Sequence, residues 1–193
     1  MKDLIYGIRI VNRSGVKEKS TIGMFISTAP ITVKMDESES FIELCRQIGR
    51  EHKVVFKHHK YPYDVLLNQV REAHGINHDL FDISVSYQNA KISKISNESD
   101  FNTNWYFNGT LQESLALHID DRDDDGCLVI NIDYLEELFN EREIGYIYKR
   151  LINILQQGIK FPAKRYCEFQ MVDEEEKRQL LVKFNNTKVD YII

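Results

Sequence analysis

The sequence has little of what staples, anchors or breaks a chain. Three cysteines, Cys45, Cys127 and Cys167, are scattered over 193 residues without CxxC spacing. They support neither a disulfide framework nor a zinc site, and reduced, mostly buried thiols are expected. Nowhere do the roughly 18 apolar residues of a membrane span run together, and the N-terminal MKDLIYGIRIVNRSG is too short an apolar run for a secretory signal. A cytoplasmic protein with no membrane partner is expected. The net charge is -5, and the 25 Lys and Arg are interleaved with 30 Asp and Glu. Phosphate recognition needs clustered cations, so no nucleic-acid partner is expected either. GxSxG, GxGxxG and Walker loops are all missing; a Ser/His/Asp arrangement stays open on composition alone.

What is present is an even spread of apolar clusters, 42% of the chain, enough for one core without an obvious inner linker. Residues 4–11 (LIYGIRIV) and 22–33 (IGMFISTAPITV) are rich in β-branched and aromatic residues and read as two strands joined by the polar turn NRSGVKEKS. Ser40 with Glu43 forms a capping box, after which Phe41, Leu44, Cys45, Ile48, His52, Val55 and Phe56 recur at helical spacing. Pro62 opens a second helix through Val65, Leu66, Gln69 and Val70, which stops near Gly75. DISVSYQN, 82–89, alternates as a strand, and 90–110 is a long polar stretch whose anchors are Phe101, Trp105, Tyr106 and Phe107. Residues 113–119 and 127–134 read as a hairpin around DDRDDDG. Asn140 with Glu143 caps a helix whose apolar face runs from Ile144 to Leu155, ending at Gly158, and a last short helix spans Asp173 to Phe184.

Two stretches imitate functional motifs. HHKYPYD, His58 to Asp64, approaches the acyl-transfer signature HHxxxDG, but Asp64 lies five places after His59 instead of four, and Val65 stands where the glycine belongs. The pattern around it makes it a helix-to-helix corner. Asp121, Asp123, Asp125 and Gly126 open like a calcium loop, yet the twelfth position is Ile132 rather than a bidentate Glu, and the flanks read as strands. No metal is assigned. His74 and His78 are four apart, with Gly75 weakening the helix they would share, and Cys45 sits in an apolar helical face where a thiol is inert.

Read in order, four stretches resemble the C-terminal half of a condensation domain from nonribosomal peptide synthetases. IGMFISTAP, Ile22 to Pro30, is similar to the family's IGMFVNTLP; HHKYPYDVL, His58 to Leu66, to HQDYPFEEL; and DLFDISVSYQN, Asp79 to Asn89, to PLFQVMFSLQN. EEEKRQLLVKFNNTKVDY, Glu174 to Tyr191, resembles the family's connector LSEEERQQLLVEWNDTAADY, which leads into an adenylation domain. In this resemblance His58 matches the first residue of HQxxP and His59 the glutamine, so the corner is a structural motif.

The resemblance implies an α/β fold, an α+β two-layer sandwich like a lobe of chloramphenicol acetyltransferase, with a mixed sheet packed by helices. It implies a condensation-domain C-terminal lobe at 1–160 and a connector toward an adenylation domain at 161–193. Met1 then reads as a start placed within what is normally a continuous family chain. No catalytic residue is expected here, since HHxxxDG belongs to the absent N-terminal lobe, and the chain alone should not form peptide bonds. Ser27, Thr28, Gln88 and Asn89 are the expected substrate-tunnel residues, Ser27 replacing the family's usual asparagine. The polar stretch at 90–110 is read as crossing to the missing lobe. No cofactor should bind directly, because the substrates ride on phosphopantetheine arms of carrier proteins. The implied partners are the N-terminal lobe, peptidyl carrier domains and a downstream adenylation domain. A lobe of a related epimerization or cyclization domain, and a stand-alone module that binds a carrier or partner without catalysis, are the alternatives.

Overall fold

The computed structural model describes residues 2–89, 105–122 and 126–186. They form two compact units. One holds the described residues of Met1–Met35 and Gln47–Phe139, the other Asp36–Arg46 and the described residues of Asn140–Ile193.

The first unit is built on a mixed five-stranded sheet. β1 (Lys2–Val11) and β2 (Ile26–Met35) pair antiparallel from Lys2↔Met35 to Val11↔Ile26, where their branched side chains fit a pleated surface. Their connection, expected as a plain turn, contains a short helix, α1 (Val16–Ser20). The amides of Ser14 and Gly15 donate to Glu18 Oε2 at 2.6 and 3.0 Å, which satisfies groups that a helix start leaves open. Arg13 donates to the carbonyls of Glu18, Thr21 and Gly23, and its guanidinium lies 4.1 Å from the centre of the Phe25 ring. A five-residue helix carries too few turns to show a period, so these bonds decide it.

α2 (Phe41–Lys57) starts at the expected capping box: the Ser40 amide donates to Glu43 Oε2 at 2.8 Å, and the Glu43 amide to Ser40 Oγ at 3.4 Å. Phe41, Leu44, Ile48, His52 and Val55 form its half-buried stripe. Cys45, four residues after Phe41 and at the outer margin of that stripe, is exposed, as are Cys127 and Cys167. The expectation of mostly buried thiols is therefore corrected. The Tyr6 hydroxyl of β1 lies 2.8 Å from His52 Nε2. After the turn at His58–Lys60, α3 (Tyr63–His74) begins with Pro62 as its N-cap and stops at Gly75, whose left-handed φ of 65° suits a residue without Cβ.

β3 (Ile83–Gln88) lies parallel to β1 through Gly7↔Ser84 and Ile8↔Val85, a placement that needs a crossover, here α2 and α3. β4 (Leu115–Asp120) is parallel to β3, and β5 (Val129–Tyr134) closes the expected hairpin antiparallel to β4, so the strand order is β2-β1-β3-β4-β5. Alternation divides the sheet's two faces. Ile8, Ile10, Ile31, Val33 and Leu115 are buried on one; the other carries Gly7, Ser84, Ser86, Ala116, His118 and Asp133. Gly7 has no room for a Cβ because the Phe81 ring occupies that space.

In the second unit, α4 (Glu141–Lys160) is capped reciprocally by Asn140 and Glu143. The Phe41 ring lies against Gly158, where a Cβ would clash, and 5.7 Å from the Phe169 ring. The Phe41 amide donates to Lys164 O at 3.0 Å and the Ile42 amide to Pro162 O at 2.9 Å. The last helix starts as expected, with Asp173 Oδ1 accepting from the Glu176 amide at 2.7 Å, but α5 (Glu174–Arg178) passes into a π-turn over Gln179–Lys183. Among the described residues no helix is long and apolar enough to cross a membrane.

Candidate functional site

The helix corner and the edge of the sheet together form a concavity of the first unit. His58 is exposed, and His59 Nδ1 lies 2.6 Å from the Phe56 carbonyl oxygen. Tyr61 donates its hydroxyl to Gln69 Oε1 at 2.8 Å, and Lys60 Nζ bonds Glu18 Oε1 at 2.9 Å and the Asn12 carbonyl at 3.2 Å. Hydrogen bonds to Glu18, led by that from the Gly15 amide, hold its carboxyl down to about 2. The corner and Thr28 to Pro30 of β2 line a cleft of about 650 Å³ whose walls include Val54, Val55 and Leu66. A mostly apolar hollow with a few polar groups at its rim is the usual form of a small-molecule site. A second, small cavity of about 50 Å³ is lined by Thr28, Tyr63, Asp79, Phe81, Gln112 and Glu113. There burial pushes the Tyr63 phenol up, and its oxygen accepts from the Leu80 amide at 3.3 Å.

The structure separates the four expected tunnel residues. Thr28 lines both hollows. Ser27, its neighbour on the strand, points to the opposite face. Gln88 ends β3 on the same face as Thr28, paired with Asp120, and its carbonyl accepts from the Asp121 amide at 2.8 Å. Asn89 lies past the strand end and is exposed.

A different set of side chains, which no motif announced, comes together in the middle of the sheet. Ser86 Oγ on β3 is 2.8 Å from His118 Nδ1 on β4, and His118 Nε2 is 3.2 Å from Asp133 Oδ2 on β5, close without the alignment of a good hydrogen bond. The Trp105 ring roofs the imidazole at 4.3 Å between centres, and its Nε1 donates to Asp133 Oδ1 at 3.4 Å. Burial chiefly, then the nearby Arg9 guanidinium, lowers the His118 pKa, with Asp133 and Glu113 opposing. The imidazole is therefore neutral at pH 7; Asp133 favours a proton on Nε2, which leaves Nδ1 to accept from Ser86.

Those spacings would suit a nucleophile, its base and an orienting acid. Access is what the cluster lacks: Ser86 is 6% and His118 3% exposed, neither lines the two hollows, and Trp105 covers the base. The cluster ties β3, β4, β5 and Trp105 together. Register alone brings Ser86 opposite His118, so only strand pairing could have revealed it. Among the described residues no group of three or more His, Cys, Asp or Glu is placed to hold a metal. Asp123 and Asp125 of the acidic loop, and residues 90–104 of the polar stretch, lie outside the described residues.

Comparison with known proteins places this geometry in context. Residues 1–181 match the family described as "Condensation domain". The chain is 35% identical over 187 residues to a plipastatin synthase component and 32% identical over 191 residues to a surfactin synthase component, both of Bacillus subtilis (strain 168). The matches cover 97% and 98% of this chain but only 7% and 5% of those proteins. Among solved structures, the starter condensation domain of rhizomide synthetase, as a double mutant with C8-CoA and Leu-SNAC, is similar with a TM-score of 0.74 and 20% identity. The first condensation domain of the CDA synthetase is similar with a TM-score of 0.67 and 13% identity. These alignments cover 90% of this chain and 39% and 38% of those chains, and they bear out the expected mixed sheet packed by helices.

Proposed function

The chain belongs to the condensation-domain family, and from that premise we propose that it is the C-terminal lobe of a nonribosomal peptide synthetase condensation domain and supplies one wall of its substrate tunnel. The observation that carries this reading is the pairing of a family match across nearly the whole chain with alignment to only 38% and 39% of the solved condensation-domain chains, which fits one lobe of a two-lobed domain. The order of the four motifs favours the C-terminal half, and the stretch from Glu174 favours a connector toward an adenylation domain.

In this reading an upstream carrier presents an acyl or peptidyl thioester on phosphopantetheine, and a downstream carrier presents the amine. The amine nitrogen attacks the thioester carbonyl, the thiol of the donor arm leaves, and the amine proton is passed to a base of the other lobe. This lobe contributes position rather than proton transfer, and holding two tethered reactants together supplies much of the rate. Thr28 is the strongest tunnel candidate because it lines both hollows, with Gln88 on the same face.

The test combines the purified chain with carrier-bound donor and acceptor, with and without a separately produced lobe that bears HHxxxDG, and reads peptide product by mass spectrometry. Product is expected only when both lobes are present. Robust product from the chain alone would sink the proposal.

A further inference from the structure

The cluster at His118 is an arrangement that the condensation reading does not use, and the inference drawn from it stands independently of that reading. His118 of β4 is held from the two neighbouring strands and a roof, in a site 3% exposed, by groups that differ in charge. Ser86 of β3 bonds Nδ1; Asp133 of β5 sits beside Nε2; and Trp105 covers the ring while donating to the other oxygen of the same carboxylate. Among the described residues, Arg9 of β1 and Glu113, just before β4, are the other charged groups that act on it, and they lie 3.8 Å from each other.

We propose that Ser86, His118 and Asp133 form a proton-operated clasp for Trp105: a neutral imidazole holds the indole on the sheet and anchors the chain entering β4, and a protonated one releases it. The reason lies in the Ser86 bond, in charge and in water. A neutral ring with its proton on Nε2 accepts from Ser86 at Nδ1 and leaves Asp133 Oδ1 to the indole N–H. An imidazolium carries its added proton on Nδ1, so the bond from Ser86 must be given up or reversed, and its charge faces Arg9 across the same sheet surface. Its largest gain comes from hydration, and water reaches the ring only when the indole has left.

The direction with pH follows from burial. Burial and Arg9 put the folded pKa of His118 below the ordinary 6.5 of a free histidine. The docked state is then fully held above 6.5 and lost as pH falls through the lowered value.

Trp105 is the only tryptophan in the sequence, so its fluorescence reports the clasp without labelling. The whole chain is titrated from about pH 8 to about pH 5, the range in which histidines change charge, with emission and far-UV circular dichroism followed together. A reversible red shift of the emission with a midpoint below 6.5, at constant dichroism, is expected, and His118→Gln should abolish it. Asp133→Asn, which removes the anion that favours the imidazolium, should lower the midpoint by about one unit. Arg9→Gln should raise it, so the opposite signs decide the matter even where His118→Gln does not fold. No red shift in this range, one that survives His118→Gln, one that coincides with loss of dichroism, or midpoints that move the same way in Asp133→Asn and Arg9→Gln, each overturns the proposal.

Discussion

The protein carries histidines in two contrasting settings. At the corner, His58 and His59 stand next to each other at the rim of an open cleft. In the sheet, His118 is alone in sequence but tied by three other side chains, its charge suppressed by burial. The pair that looks catalytic on paper is solvated, and the one that is chemically perturbed has no motif. Surroundings, more than residue type, decide what an imidazole can do.

The contrast can be broken most directly by mutation. His118→Leu leaves the Ser86 hydroxyl and the Asp133 carboxylate without their partner in a closed site, and should cost about 3 kcal/mol in urea unfolding. Gly7→Val, on the same sheet face, forces a side chain into the Phe81 ring and should cost about 2 kcal/mol in the same measurement. On the open side, Thr28→Val in a complete two-lobed condensation domain should lower turnover about tenfold, equivalent to ~1.4 kcal/mol, with unfolding little changed. Ser27→Ala, on the other face, should leave turnover near its original value; equal losses at 27 and 28 would remove the distinction. Unfolding free energy should also decline as pH falls below 6.5, because burial lowers the pKa of both His118 and His52. His118→Gln should flatten that slope. The smallest effect is expected from the doubly substituted His58→Ala, His59→Ala chain, within about 0.5 kcal/mol of the original, since neither ring is enclosed.

Local signals were enough for much of the architecture. The Ser40 and Glu43 box, the Pro62 start and the Gly75 stop are written as short-range chemistry, and the elements they bound fall where expected. Where neither a usual cap residue nor an apolar period marks an element, the sequence was mute. α1 depends on Arg13 and Glu18 folding back on their own loop, and the widened turn at Gln179–Lys183 has no apolar period to mark it. Cys45 falls at helical spacing from Phe41 and so reads as part of the apolar face, yet it sits at the margin of that face and is exposed. The candidate site was half visible: the corner and Thr28 could be named, while the opposite directions of Ser27 and Thr28 gained a meaning for the cleft only through the place of β2 along its edge.

By itself the sequence determined the long capped helices, the strands, the order of the family motifs and the falseness of HHKYPYD as an acyl-transfer signature, because spacing and capping act within a few residues along the chain. Only the tertiary structure decided that Ser86, His118, Asp133 and Trp105 meet, since they lie on separate strands and segments whose contact is set by register. A shift of one residue would turn every one of those strand side chains to the other face of the sheet, and no pattern within a single strand records which partner it will have.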